Sequence, residues 1–405
     1  MITFILEEVV VKTVYGRRVR QARRIRRLSV SFLADKIGVR QPRLSELERS
    51  YTADISEEIL TQLTKALDFP SRFFSVEPQE AFHFGSLLFR AKSTLTDTDA
   101  DYLAEYAGAA GEIFQGLSEH ASSPPVRLPD LPHGVSASEA AEIVRQQFSI
   151  KAEEPIDSLV RKAERAGIIV ILLDFDVRLH DRLDAFSCWV GDYTDRPVVV
   201  LRSGASWDRL RWSMAHELGH AVLHRRQREG DIEAAANEFA NQLLLPRSML
   251  IRDWPRTPTL MTLLPLKENW GLSLQALMEH GFRAGLIDES RRMSLYKQLS
   301  NRKWPDGKRW REREPGYNLR DIELPRMLGK MVEVGFGASV GLDVVSAATG
   351  HWPALLLQQL LGVQLTRPTD GGRGRPVTSP PGKTGPSRIV SLSDWRRDEA
   401  SEGYG

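Results

Sequence analysis

The pattern H-E-x-x-H, formed by His216, Glu217 and His220, limits the fold of this chain more than any other feature. Residues four apart on a helix face the same side, so both imidazoles can reach one ion only if the segment is helical. Glu217 then lies about 100° around the helix from His216, where it can address a metal-held water as a general base. We predict a helix over residues 206–226, with Ser206 as its N-cap.

A catalytic zinc ion takes a third protein ligand and keeps one position open for water. The next predicted helix, residues 232–245, offers two carboxylates. Glu233 shares a face with Asn237 beside small alanines that permit close helix packing, so we assign Glu233 as the third ligand. Asn237 would accept the other ring N–H of a ligating histidine and so fix its tautomer. Glu238 lies on a different face and is the alternative ligand.

His224 continues the histidine series, four residues after His220. Eight residues of helix separate it from His216 by about 12 Å, which is too far for both to hold one ion. We interpret His224 as a capping or solvent histidine near the helix end. A role over the substrate cleft is the alternative.

The N-terminal part of the chain is rich in arginine. Seven arginines and no acidic residue occur within residues 16–27. Ser29 can cap a following helix that runs to Ile37, and Gly38 allows the tight turn that joins two helices at a steep angle. A helix over residues 41–49 then buries Leu44 and Leu47. This pattern predicts a helix-turn-helix.

Exposed residues at the start of the helix 41–49 can pair with base edges in the major groove, and we assign Arg40, Gln41 and Arg43 to that role. Arginines of the first helix suit phosphates, which supply most of the salt-dependent affinity, and these are Arg17, Arg20 and Arg24. The alternative is a solvated basic helix in an ordinary small bundle.

Composition excludes several classes of protein. Charged residues make up 27% of the chain but balance to a net charge of +2, so no global polyanion-binding signature exists. The single cysteine, Cys188, excludes a disulfide framework and a cysteine-based zinc finger, and its apolar neighbours indicate a buried filler. The sequence contains no secretory signal and no apolar run of membrane-spanning length, so we expect a cytoplasmic protein with no membrane partner.

Two family resemblances follow from these residues. Segments 32–39 and 44–49 resemble the XRE (Cro/CI-type) helix-turn-helix, which implies a five-helix DNA-binding module. Segments 215–220, 233–240 and 243–246 resemble the ImmA/IrrE metallopeptidases, with further likeness over about residues 135–312. That resemblance implies a gluzincin-like zinc peptidase, whose known members cut a helix-turn-helix repressor in stress responses or mobile-element transfer.

The fold class that we predict is mainly α with a small sheet (α+β). An all-helical helix-turn-helix domain is followed by a gluzincin-like domain with a short β-sheet, predicted at residues 167–173, 185–190 and 197–201, and a helical C-terminal extension. The predicted divisions are an N-terminal extension (1–15), a helix-turn-helix domain (16–76), a helical connector (77–134), a metallopeptidase domain (135–255), a helical C-terminal region (256–365) and a disordered tail (366–405).

The leading functional hypothesis joins the two resemblances. It is a DNA-binding transcriptional regulator with a Zn²⁺-dependent endopeptidase domain that binds double-stranded operator DNA and cleaves an XRE-type repressor. The alternative is a non-proteolytic regulator, or an antitoxin, whose peptidase fold senses or holds a partner. A homodimer is compatible with either hypothesis.

Overall fold

The structure is a computed structural model that describes residues 11–79, 95–132, 134–175, 179, 183–191, 195–225 and 230–362. The first ten residues of the predicted N-terminal extension and the predicted disordered tail lie outside the described residues. The fold class is confirmed, because the described chain is mainly helical and carries two small sheets.

The N-terminal module contains five helices and a two-stranded antiparallel sheet. These elements are β1 (Val11–Tyr15), α1 (Gly16–Ile25), α2 (Val30–Lys36), α3 (Gln41–Arg49), β2 (Thr52–Ser56), α4 (Glu57–Leu67) and α5 (Ser71–Phe74). As predicted, the Ser29 side chain caps α2 by accepting a hydrogen bond from the backbone N–H of Phe32. Gly38 has a φ of +71° in the turn before α3, a conformation that glycine adopts without strain.

The small sheet corrects the prediction that this module is all-helical. Strand β1 buries one residue, Val14, and leaves the first three of its five residues exposed. It therefore lacks the alternation of apolar and polar residues by which a half-buried strand is recognised in a sequence. Its partner β2 also has a single buried residue, Ile55.

A long helix follows the N-terminal module. Helix α6 (Asp97–Ser118) agrees with the predicted connector helix and begins with a capping box, in which Thr96 and Asp99 satisfy each other's backbone N–H groups. Most of α6 is buried, including Glu105 and Glu112. A connector with buried acidic residues must contact the rest of the molecule closely.

The α/β part of the chain is built around a three-stranded sheet. Its elements are α7 (Ala137–Gln147), α8 (Leu159–Arg165), β3 (Ile169–Leu173), β4 (Ala185–Val190), β5 (Arg196–Arg202), α9 (Trp207–Leu223) and α10 (Ile232–Leu244). The strand order is β3-β5-β4, with β3 parallel and β4 antiparallel to β5. Strands β4 and β5, which are consecutive in the chain, therefore pair antiparallel.

Seven further helices complete the described chain: α11 (Arg247–Asp253), α12 (Leu264–Trp270), α13 (Leu274–Arg283), α14 (Glu289–Asn301), α15 (Met327–Phe336), α16 (Leu342–Ala348) and α17 (Ala354–Leu361). None of the helices in the described ranges has both the length and the apolar content needed to cross a bilayer.

The three-stranded sheet separates two hydrophobic cores. Successive side chains of a strand point to opposite faces, so Val199 and Leu201 of β5 pack with α9 and α10. Val198 and Val200 face the other way, into a core shared by the N-terminal module, α6 and helices α15–α17. The sheet thus links the two halves of the molecule.

The helices of the predicted C-terminal region (256–365) divide between these two cores. Helices α12–α14 pack in the core of α9 and α10, whereas α15–α17 join the N-terminal module. The chain passes from one core to the other between α14 and α15, and two acidic residues of this segment hold it in place. Glu314 accepts hydrogen bonds from Lys267 and from the first N–H groups of α13, and Glu323 accepts from Arg211.

Candidate metal centre and DNA-binding surface

Helix α9 presents the H-E-x-x-H residues as predicted. Its core face contains Leu210, Met214 and Leu218, which are buried. Ser206 occupies the N-cap position, but its side chain makes no capping hydrogen bond, which corrects the predicted role. The helix is held by packing instead of by that cap.

Gly219, a weak helix former within the motif, permits close helix packing. A Cβ at this position would lie 2.9 Å from the ring of Phe239 and 3.3 Å from the Cα of Ala236, both on α10. The missing side chain therefore lets α10 approach α9 closely. This approach brings Glu233, in the first turn of α10, to the histidines.

The ligand atoms of His216, His220 and Glu233 converge. The two Nε2 atoms are 3.1 Å apart. Carboxylate oxygens of Glu233 lie 3.5 Å from His216 Nε2 and 3.4 Å from His220 Nε2. A tetrahedral ion with ligand bonds of about 2.0–2.1 Å holds neighbouring ligand atoms about 3.3–3.4 Å apart. The three residues therefore fit a zinc ion.

The burial of this group also suits a catalytic metal. Both histidines are buried, whereas the Glu233 side chain is 32% exposed. Within the described residues, these three form the group of metal-ligand side chains whose atoms lie within 4.8 Å of one another. Two nitrogens and one oxygen form a donor set common at catalytic zinc, and the fourth position would stay open.

The charge state of Glu233 fits a ligand. Burial by itself raises the pKa of this carboxyl group, but hydrogen bonding to His216 and His220 and the charges of the two rings lower it below its usual range. The group is therefore ionised, as metal ligation requires.

Glu238, the alternative ligand, points elsewhere. Its Oε1 accepts a hydrogen bond of 2.7 Å from Ser138 on α7, and its Oε2 lies 4.0 Å from Arg283. The geometry thus brings Glu233 to the histidines and leaves Glu238 in a contact between helices.

Glu217 turns toward strand β4. Its Oε2 accepts a 2.7 Å hydrogen bond from Ser187 Oγ, and both side chains are buried. Ser187 could not be identified from the sequence, because the pairing spans 30 residues and joins a strand to a helix. Among the described residues, none donates to Glu217 Oε1, so that oxygen can accept a proton.

Cys188 follows Ser187 and points to the opposite face of β4, into the other core. Burial raises the pKa of its thiol far above the usual value, and the charge of Glu217 raises it further. The thiol is therefore neutral and unreactive. This confirms Cys188 as a buried filler.

The side chains around the two histidines differ from the prediction in one respect. His216 stacks on Trp212, with ring centroids 5.2 Å apart, and Trp212 donates to Asn241. Asn237 makes no hydrogen bond to either histidine, since its Oδ1 has no partner among the described residues. The predicted support of a ligating histidine by Asn237 is therefore not present. His224, set aside on distance, lies 3.0 Å from His220 through their Nδ1 atoms.

The recognition-helix residues lie at the surface. Arg40, Gln41 and Arg43 are exposed at the start of α3, while Leu44 is buried as predicted and Leu47 is partly buried. A helix N-terminus with exposed cations favours an anionic partner. Two other cations of this module, Lys36 and Arg49, are also exposed.

The arginines of α1 have a different environment from that predicted. Arg24 forms salt bridges of 3.1 Å with both Asp101 and Glu105 of α6, so the structure pairs it with carboxylates instead of leaving it for phosphate. Arg17 and Arg20 are half-buried. Burial lowers the pKa of Arg20, and the nearby charges of Arg24 and Arg17 lower it further.

Comparison with known families finds a match for each of two segments. Residues 19–74 match the helix-turn-helix family model, and residues 163–279 match the model of the IrrE N-terminal-like domain, a peptidase family. The chain thus contains one segment similar to each of these two families. No curated protein matches the chain.

The IrrE-like domain contains the whole candidate metal centre, since Ser187 on β4 and the ligands on α9 and α10 lie within residues 163–279. The match to the helix-turn-helix family begins within α1 and runs to the end of α5. Helix α6 and helices α15–α17 lie outside both matches, although they pack between the two domains. Both resemblances inferred from the sequence are confirmed at the level of the family.

Proposed function

We propose that this protein is a DNA-binding transcriptional regulator whose IrrE-like domain is a zinc-dependent endopeptidase. We propose further that it cleaves a helix-turn-helix repressor in a stress or mobile-element response, in the cytoplasm where operator DNA lies. The observation that carries the proposal is the triangle of His216 Nε2, His220 Nε2 and a Glu233 carboxylate, with sides of 3.1, 3.4 and 3.5 Å.

The proposed centre would hold zinc through His216, His220 and Glu233. When bound, zinc would polarise a peptide carbonyl and lower the pKa of a coordinated water. The protein supplies a buried site, in which electrostatic interactions are stronger than in water. Because three protein ligands would leave one metal position open to water, the site suits a catalytic zinc better than a structural one.

Glu217 is the proposed general base. Ser187 Oγ donates a hydrogen bond to Oε2 of Glu217 and so fixes the orientation of the carboxylate. Oε1 of Glu217 would accept the proton of the attacking water and then pass that proton to the leaving amine. Ser187 would thus position the base without contacting the substrate.

The proposed DNA contacts lie on α3. Arg40, Gln41 and Arg43 are exposed and can read base edges, as the pairing chemistry of Arg with guanine and Gln with adenine predicts. Phosphate contacts by Arg17 and Arg20 remain a prediction. The ion pairs of Arg24 with α6 argue against such a contact for that residue.

The test combines cleavage with DNA binding. The purified protein, loaded with zinc, is incubated with a helix-turn-helix repressor encoded beside it, in parallel with Glu217→Gln. We expect the wild type to cut the repressor, Glu217→Gln to leave it intact, and both to shift operator DNA equally. If neither protein cuts the repressor while both shift operator DNA, the chain is a non-proteolytic regulator.

A further inference from the structure

His224 is a buried histidine for which the proposed mechanism has no role. It is the C-cap residue of α9, and its backbone N–H donates to the carbonyl of His220. The residue is 5% exposed, and its Nδ1 lies 3.0 Å from Nδ1 of His220. The sequence predicted a capping or solvent histidine, but the buried side chain meets the ring of a proposed metal ligand.

The tautomers of the two rings follow from the geometry. Nε2 of His220 faces His216 Nε2 and Glu233 Oε1, so this nitrogen must carry the lone pair if it binds a metal. The proton of a neutral His220 ring is then on Nδ1, which donates to an acceptor at Nδ1 of His224. His224 must therefore carry its own proton on Nε2.

We propose that His224 is a positioning residue for the metal centre, an inference that rests on the proposed zinc function. By accepting the Nδ1–H of His220, it fixes the tautomer and the ring orientation of that ligand. Groups that orient metal-ligating histidines in this way commonly change metal affinity by about 10–100-fold when removed.

The other ligating histidine lacks such support. Nδ1 of His216 is buried and has no hydrogen-bond partner among the described residues. Its ring is held by stacking on Trp212, at an interplanar angle of 27°. Of the two ligand rings, only that of His220 has its tautomer set by a described side chain, so the effect of losing His224 should act through His220.

Two substitutions separate hydrogen bonding from packing. His224→Leu fills similar space but has no acceptor, whereas His224→Asn places an amide oxygen near the position of Nδ1. Zinc affinity is measured by competition with a chelator, and the visible spectrum of the Co²⁺-loaded protein reports ligand geometry. We expect His224→Leu to bind zinc about 10–100-fold more weakly with an altered Co²⁺ spectrum, and His224→Asn to recover most of the affinity.

His280→Leu serves as the matched control. His280 is a buried histidine that hydrogen bonds to the Leu245 carbonyl outside the ligand group. Its loss should lower thermal stability without changing zinc affinity. A similar loss of affinity in this control would attribute the His224→Leu effect to general destabilisation and overturn the proposal.

The outcomes distinguish this inference from the proposed function. If the wild type binds no zinc, the proposed function fails together with the inference. If the wild type binds zinc and His224→Leu binds it equally well, only the role of His224 is overturned. Should His224→Leu fail to fold, the ¹⁵N-detected tautomers of the zinc-loaded wild type decide. The inference requires the proton of His224 to be on Nε2 and its Nδ1 to be an acceptor, so a His224 ring protonated at Nδ1 overturns it.

Discussion

Among the described residues, the buried charge cluster at the interface of α1 with α6 differs in kind from the one between α9 and α10. In the first, Arg18 is 1% exposed and every nitrogen of its guanidinium has a partner. These partners are Glu112, Gln21 and the backbone carbonyls of Val76 and Glu77. In the second cluster, ligand atoms of two histidines and a glutamate converge within 4.8 Å of one another.

The difference distinguishes a network of satisfied ion pairs from a group of converging ligand atoms. Opposite charges that satisfy each other's hydrogen bonds fix how two elements pack. Along α1 and α6, Arg27 pairs with Asp99 and Arg24 with Glu105, in antiparallel order with Arg18 and Glu112. Lone pairs that face one another repel, which costs free energy unless a cation binds between them. A group of converging lone pairs therefore indicates a binding site.

The α1–α6 interface also connects the two domains. Gly111, next to Glu112, would place a Cβ 3.1 Å from Val190 of β4, the strand that holds Ser187. Trp352 of the C-terminal region packs against Phe73, with ring centroids 4.9 Å apart. The Arg18 Cζ atom lies 5.6 Å from the centroid of the Trp352 ring. The DNA-binding domain is therefore fixed to the body of the protein by buried contacts.

The largest expected effect is a loss of activity at the metal cluster with no loss of stability. Glu217→Gln should lower the rate of repressor cleavage by about 10²–10⁴-fold, since the amide cannot accept the proton. The hydrogen bond from Ser187 can persist to the amide oxygen, so the thermal midpoint should stay unchanged. Cleavage rates and thermal unfolding test this, and a large drop in the midpoint would show that Glu217 is structural.

The α1–α6 cluster should respond in the opposite way. Glu112→Ala leaves the buried Arg18 without its carboxylate, so we expect the free energy of unfolding to fall by about 3–5 kcal/mol. Urea unfolding measures this loss. Glu119→Ala, an exposed position at the end of the same helix, should change it by less than about 0.5 kcal/mol.

An apolar double substitution sharpens the comparison further. Arg18→Met together with Glu112→Leu should recover most of the stability lost in Glu112→Ala, because paired buried charges can be replaced by apolar residues. If the double variant is as unstable as Glu112→Ala, the network contributes more than charge pairing.

Glu164 is a buried carboxylate outside both clusters, and it accepts hydrogen bonds from two backbone N–H groups at the start of α15. Burial raises its pKa to about 7, although those hydrogen bonds oppose the shift. A folded pKa above the unfolded value of about 4.3 means that the folded state binds more protons between them, so stability falls as pH rises. The contribution is complete below about pH 4.3 and is lost as the pH passes about 7.

Glu164→Gln should remove this pH dependence. The difference in unfolding free energy between wild type and variant should change by on the order of 3 kcal/mol between pH 4 and 8, from 1.36 kcal/mol per unit of pKa. Urea unfolding across this pH range provides the measurement. A difference that does not vary with pH would mean that the N–H groups of Arg326 and Met327 keep Glu164 ionised throughout.

The smallest expected effect is at Asn237. Because its Oδ1 has no described partner, Asn237→Ala should leave zinc affinity within about threefold of the wild type, far less than the loss of an orienting group. Chelator competition measures this. A loss of tenfold or more would restore Asn237 to the supporting role that the sequence predicted.

Local features of the fold could be predicted from the sequence. The cap at Ser29, the turn at Gly38 and the spacing of His216 and His220 depend on residues a few positions apart, and each appears as expected. Contacts between distant segments could not be predicted in the same way. The acids that pair with Arg18 and Arg24 lie more than 75 residues away along the chain.

The candidate site shows the same division. Glu233 could be selected over Glu238 because helix periodicity places it on the face of the alanines that pack against α9. Ser187 could not be identified, because its role depends on how β4 lies beside α9. His224 was set aside on its distance from His216, a criterion that tests ligation but not support of His220.

The most direct test of the metal centre is the zinc content and affinity of four proteins: wild type, His216→Ala, Glu233→Ala and Glu238→Ala. We predict about one zinc per chain in the wild type and in Glu238→Ala, and loss of zinc in His216→Ala and Glu233→Ala. Retention of zinc with unchanged affinity in Glu233→Ala would contradict the three-ligand centre.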